Sequence, residues 1–117
     1  MDLRDLVKAL LAFDALAARQ WIADAARSGY DWSRAPQPAD LDSTASALAA
    51  GVTELMAARS GQPAPAWTAS VSAAPERIFL VRSAAAMPRL RALCEREGPE
   101  PLRRRGFFAP PEFLTAA

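Results

Sequence analysis

The sequence predicts a mainly α-helical single domain: a small bundle of about four helices, a Pro-rich irregular C-terminal half and at most one short strand. Three observations carry that expectation. Apolar residues recur at helical steps of three and four through residues 2–13 and again through 40–60. Proline falls between these runs and not within them. Only one stretch, Ile78-Phe79-Leu80-Val81, reads as a strand. At this length the natural division is one domain over 1–117, with N-terminal helices over 1–60, a Pro/Ala-rich connector over 61–76 and a basic segment over 77–117.

Residues 2–13 place Leu3, Leu6, Val7, Leu10 and Leu11 on one helical face, with Asp2 and Asp5 near the positive end of the helix dipole. Asp14 offers a second N-cap, and Ala15–Arg27 is a strong helix-forming run that stops at Ser28-Gly29. The two runs read either as one helix over 2–28 or as two, and a break near Phe13-Asp14 is the reading favoured, although neither Pro nor Gly forces one. Pro36 and Pro38 make 30–39 a loop, in which Trp32 is expected to plug the edge of the core.

Behind Asp40 or Asp42 as N-cap, Leu41, Ala45, Leu48, Val52, Leu55 and Arg59 step by 4, 3, 4, 3 and 4. Helices that pack nearly antiparallel use such a seam. The back of this helix is small: Ala47, Ala50, Gly51 and Ala57. Either the helix sits centrally in its own bundle, or the small face is left for a dimer mate or a partner helix.

Gly61 ends that helix, and Trp67 is expected to pin the connector to the helices. The run 77–82 has no identifiable partner within the chain. It either packs on the helices as an extended piece or pairs its edge with another chain. Pro88 fits the first turn of a helix over 87–97 with Met87, Leu90, Leu93 and Cys94 on one face. Gly98-Pro99 stops it, and Pro101 opens a short turn through Arg103–Arg105.

Composition narrows the chemistry. The chain is 51% apolar, but 28 residues are Ala, so the core is thin in bulk. Area scaling allows about 6,000 Å² folded against about 18,000 Å² unfolded. A chain like this is expected to lean on self-association or a partner for part of its burial. There is no His and no Asn, and only one Cys (Cys94), one Lys (Lys8) and one Tyr (Tyr30). His/Cys zinc sites, His acid–base catalysis and a Cys/His nucleophile pair are excluded within one chain. The glycines are isolated, so no phosphate-binding loop is present. Glu95 and Glu97, two apart on a helix, face different ways. No catalytic, cofactor-binding or metal residue is nominated, and a solitary enzyme is not expected.

Net charge is +1, but unevenly placed: −2 over residues 1–60 and +3 over 76–117, where Arg is the only cation. Thirteen Arg to one Lys also fits a GC-rich bacterial genome. No run approaches the ~18 apolar residues of a membrane span. The start, with Asp5 and Lys8, lacks the layout of a secretion signal. One Cys makes no internal disulfide. The expected setting is cytoplasmic.

Arg103-Arg104-Arg105 followed by Phe107-Phe108, with Phe113 beyond, is the most distinctive local composition. Such residues form a solvated turn with Phe returning to the core, grip an acidic protein surface, or hold phosphate and stack on bases. The expectation is a partner-binding surface made of Arg103, Arg104, Arg105, Phe107, Phe108 and Phe113, acting with helix 40–60. In size and composition the chain resembles small helical antitoxins and operon-encoded adaptors of bacteria, a likeness that assigns no residue roles. The function expected is a non-catalytic protein-interaction module, binding a partner or itself. The alternative is a regulatory nucleic-acid binder using the same arginines. The Ser28–Leu41 connection is too long and Pro-rich for a helix-turn-helix.

Overall fold

Aspartates set where the N-terminal helices begin. The computed structural model, which describes residues 1–115, starts α1 (Leu3–Leu11), α2 (Ala15–Ser28) and α3 (Ser43–Arg59) behind Asp2, Asp14 and Asp42. Their carboxylates accept the backbone N–H of Arg4, Ala17 and Ala45 at 2.9, 3.1 and 2.8 Å. These donors have no partner inside the helix. Asp42, and not Asp40, caps α3.

The same helices end alike. After α2 the Tyr30 N–H returns to the Ala25 carbonyl at 2.9 Å and Gly29 to Ala26 at 3.3 Å. After α3 Gln62 returns to Ala57 at 2.8 Å and Gly61 to Ala58 at 3.2 Å. Both closures turn on a left-handed glycine with φ 68°. After α1 the same two bonds form, Asp14 to Ala9 at 2.8 Å and Phe13 to Leu10 at 3.2 Å, but the left-handed residue is Phe13, with φ 57°. Asp14 thus closes α1 with its backbone and opens α2 with its side chain. That double use is the physical cause of the break.

α3 is central and buried on both sides. Leu48, Val52 and Leu55 join Leu6, Val7 and Leu10 of α1 in the core. The small face is filled by the chain's own α5 (Glu100–Arg103). A Cβ added at Gly51 would lie 3.1 Å from Leu102 and 3.2 Å from the Pro101 carbonyl. That face is therefore not free for a dimer mate or partner helix. Trp32 is buried, and the Trp67 indole donates to the Ala35 carbonyl at 2.8 Å, tying the connector to the 30–39 loop. Trp21, Tyr30 and Trp32 meet edge to face or tilted, with centroids 4.8 to 5.8 Å apart.

The strand-like run has an internal partner. β1 (Ile78–Phe79) pairs in parallel with β2 (Phe107–Phe108), Ile78 opposite Phe107 and Phe79 opposite Phe108. A second strand thus lies in what the sequence presents as tail. A two-residue strand is too short to carry a period of its own, and only its distant mate reveals it. α4 (Pro88–Glu97) carries Pro88 in its first turn and sits at the rim, against the 3₁₀ turn Arg82–Ala85. Cys94 is its one fully buried side chain, whereas Met87, expected on the same inner face, is exposed. The protein is mainly α, with five helices and this one small sheet among the described residues. No described helix is long and apolar enough to cross a membrane.

Gly51 generates a test of this packing. Gly51→Leu has no room between α3 and α5 and should cost about 1–3 kcal/mol, read as a lower urea midpoint at unchanged slope. An unchanged midpoint would show that α5 does not cover this face.

Candidate functional site

The three consecutive arginines have three separate fates. Arg105 points inward and is 7% exposed. Its guanidinium donates to both Glu54 carboxylate oxygens, at 2.9 and 3.1 Å, and to the Val71 and Thr68 carbonyls, each at 2.6 Å. Arg104 stays exposed and joins the same carboxylate at 3.1 Å. Arg103 turns back to the end of α4 and donates to the Gly98 and Arg96 carbonyls at 2.7 and 3.1 Å. Burial pushes the Glu54 carboxyl up, but the two arginine hydrogen bonds outweigh it and hold it below its ordinary range.

The phenylalanines follow Arg105 inside. Phe107 is fully buried and Phe108 nearly so, while Phe113 is half-buried against the core. Phe108 lies 5.3 Å from Phe79. Arg77 covers the Phe108 ring at 4.6 Å and Arg91 the Phe79 ring at 4.4 Å. Glu95 accepts from Arg77 at 2.7 Å and lies 3.9 Å from Arg91. The structure therefore brings Arg104, Arg105, Phe107 and Phe108 into the fold's own closure, and not onto one exposed patch. Three consecutive arginines around a turn cannot all face one way, and Arg105 goes inward because Glu54 and two carbonyls receive it.

The surface left open lies elsewhere. An open groove of about 630 Å³ runs between the α1–α2 corner, the 80–83 segment and the C-terminal turn. Its lining includes Leu10, Phe13, Ala18, Leu80, Phe113 and Leu114, with Asp14, Arg19 and Arg82 as charged members. Phe13 stands at it 42% exposed, and the Arg82 guanidinium lies 5.1 Å from its ring. Leu16, at the start of α2, is 73% exposed. Neither Arg19 nor Arg82 has a carboxylate partner among the described residues.

Searches of family models, curated proteins and solved structures find no match to this chain. Its chemistry is therefore read from its own side chains. Among the described residues no group of three or more Cys, Asp or Glu side chains gathers to hold a metal. Cys94 is buried, and burial pushes its thiol up, away from the reactive thiolate. Phe13 and Leu16 were not legible as surface anchors. The signal was a helix end without Gly at Phe13, and an apolar residue at 16 off the buried face of Ala18, Ile22 and Ala25.

Removing the Glu54 carboxylate leaves Arg105 buried without its counter-ion, so Glu54→Ala should cost about 3 kcal/mol. Because the folded carboxyl sits below its ordinary value of 4.5, this contribution is present above that pH and is lost as pH falls through the lowered folded value. Urea unfolding from neutral pH into the acid range should show wild type losing stability that Glu54→Ala has already lost. Parallel curves for the two proteins would remove the pair from this role.

Proposed function

We propose that this chain is a non-catalytic protein-interaction module, an antitoxin-like neutraliser or small operon-encoded adaptor of bacterial type, that docks its partner at the α1–α2 corner groove. One observation carries the reading. Two of three like-built helix ends use Gly in the left-handed position, and the third keeps Phe13 there, exposed at the mouth of an apolar groove. A left-handed aromatic costs roughly 1–2 kcal/mol relative to Gly. Strain retained beside an exposed anchor is a mark of a working surface. Leu16 extends the apolar area beyond the groove, and Arg19 and Arg82 supply directional contacts of the kind interfaces use.

The setting we propose is cytoplasmic, in keeping with a single thiol and the absence of disulfides it implies. The nucleic-acid reading has less support, because Arg103 and Arg105 are engaged within the chain and Arg104 shares Glu54. Salt separates the two readings. Phosphate contacts give an affinity that falls steeply with ionic strength, and an apolar groove responds weakly.

Phe13→Gly is the decisive variant. It should hold or raise stability, since it relieves the left-handed strain, while weakening partner capture from the native host by about tenfold or more, equal to about 1.4 kcal/mol. Leu16→Glu should weaken capture likewise, and Arg104→Glu should leave it in place. A folded Phe13→Gly protein that captures the same partner as wild type would overturn the assignment of this surface. Capture that vanishes with nuclease treatment would favour the nucleic-acid reading.

A further inference from the structure

Arginine stands over phenylalanine three times among the described residues, and two of the three pairs are completed by a carboxylate. Arg77 lies 4.6 Å from the Phe108 ring centroid and donates to Glu95 at 2.7 Å. Arg91 lies 4.4 Å from that of Phe79 and comes within 3.9 Å of the same Glu95. A guanidinium can do both at once, because it stacks with its face and donates through the N–H groups of its edge. The third pair, Arg82 at 5.1 Å from Phe13, has no carboxylate among the described residues. It is also the open one. Phe13 is exposed, whereas Phe108 is buried and Phe79 half-buried.

The groove at Phe13 shows the same imbalance. Arg19 lines it from α2 and Arg82 from the 80–83 segment, and Arg19 likewise has no carboxylate among the described residues. The acidic member of the lining, Asp14, is already in use. Its carboxylate caps α2 through the Ala17 N–H at 3.1 Å and pairs with neither arginine. The remaining lining is mostly apolar, with the buried Leu10, Ala18, Leu80 and Leu114. Two guanidiniums beside an apolar groove, with no counter-charge from their own chain, are complementary to carboxylates set beside apolar side chains.

We propose that the groove takes an acidic, apolar segment of a partner protein. Its apolar side chains pack on Leu10, Leu80 and Leu114, and its carboxylates pair with Arg82 and Arg19. The carboxylate at Arg82 completes with Phe13 the arrangement that Glu95 makes at Phe79 and Phe108. Two observations favour a carboxylate over a phosphate backbone. The chain's own pairs are closed by a carboxylate, and a phosphate backbone has no aliphatic side chain to place against the leucines. The inference rests on the functional reading above, which requires only that the groove docks a partner; the partner's charge is now fixed as well.

The test selects from a displayed library of random peptides on the full-length protein, and a synthetic peptide of the enriched sequence serves as the probe. Enriched peptides should combine Asp or Glu with Leu, Ile, Phe or Trp. Probe affinity should fall about tenfold or more in Arg19→Glu/Arg82→Glu and in Phe13→Gly. Arg82→Lys, which keeps the charge without the fork, should lose less. A probe with each acidic residue replaced by Lys should fail on wild type and bind Arg19→Glu/Arg82→Glu. Both arginines are exposed, so the urea midpoints should stay near that of wild type. Arg19→Gln and Arg82→Gln give a smaller loss of the same sign should the double reversal disturb the fold. Overturning outcomes are no enrichment, enriched peptides without acidic residues, or a probe indifferent to the arginine variants. A single-stranded oligonucleotide that displaces the probe and needs the same arginines would assign the site to phosphate instead. Peptides that need Phe13 but not the arginines overturn the charge assignment and leave the docking groove standing. Peptides indifferent to Phe13 and the arginines alike remove the groove itself.

Discussion

The guanidinium of Arg105 joins segments that are far apart in the chain. It holds Glu54 of α3, the carbonyls of Thr68 and Val71 in the connector, and its own stretch ahead of β2. Its net contribution to stability is small in principle, because desolvating two charges offsets most of their attraction. Its contribution to register is large. With Arg105 turned inward, its carbonyl takes the Ala74 N–H and the Gly106 carbonyl takes that of Ile78, at 2.9 and 2.8 Å. Phe107 then falls into the core. The two-residue sheet is too small to choose this alignment by itself, and the buried ion pair chooses it.

The same cluster explains why α3 carries so many small residues. Gly51 and its Ala neighbours let α5 and the Arg105 stem approach closely. Close approach leaves little area per residue, and α3 is buried on both sides. An open groove lies beside α2, and the left-handed Phe13 and Leu114 both line it. Strain and missing bulk thus coincide at one corner.

Much of the helical framework was legible locally. The acidic start of α1, the cap at Asp14, an Asp cap ahead of α3, the glycines at 29 and 61, the Pro88 start and the seam of α3 each act within a turn or two of themselves. The anchoring roles of Trp32 and Trp67 followed from large side chains in Pro-rich loops. The Arg/Phe run was ambiguous, because its composition is equally that of an interface and of a closure. The difference lies in Glu54, which sits 51 residues before Arg105.

By itself the sequence determined the mainly α class, the approximate places of the longer helices and the catalytic chemistry that a chain without His lacks, since periodicity and residue types are local or compositional. Only the tertiary structure decided that the small face of α3 is filled from within, that β1 has a mate, and that Arg105 and Phe107 are interior. It alone placed the open apolar surface at Phe13. The physical reason is common to all of these. Whether a side chain is buried depends on what meets it across long sequence separations, and a charge goes inside only where a counter-charge and carbonyls are already in place to receive it.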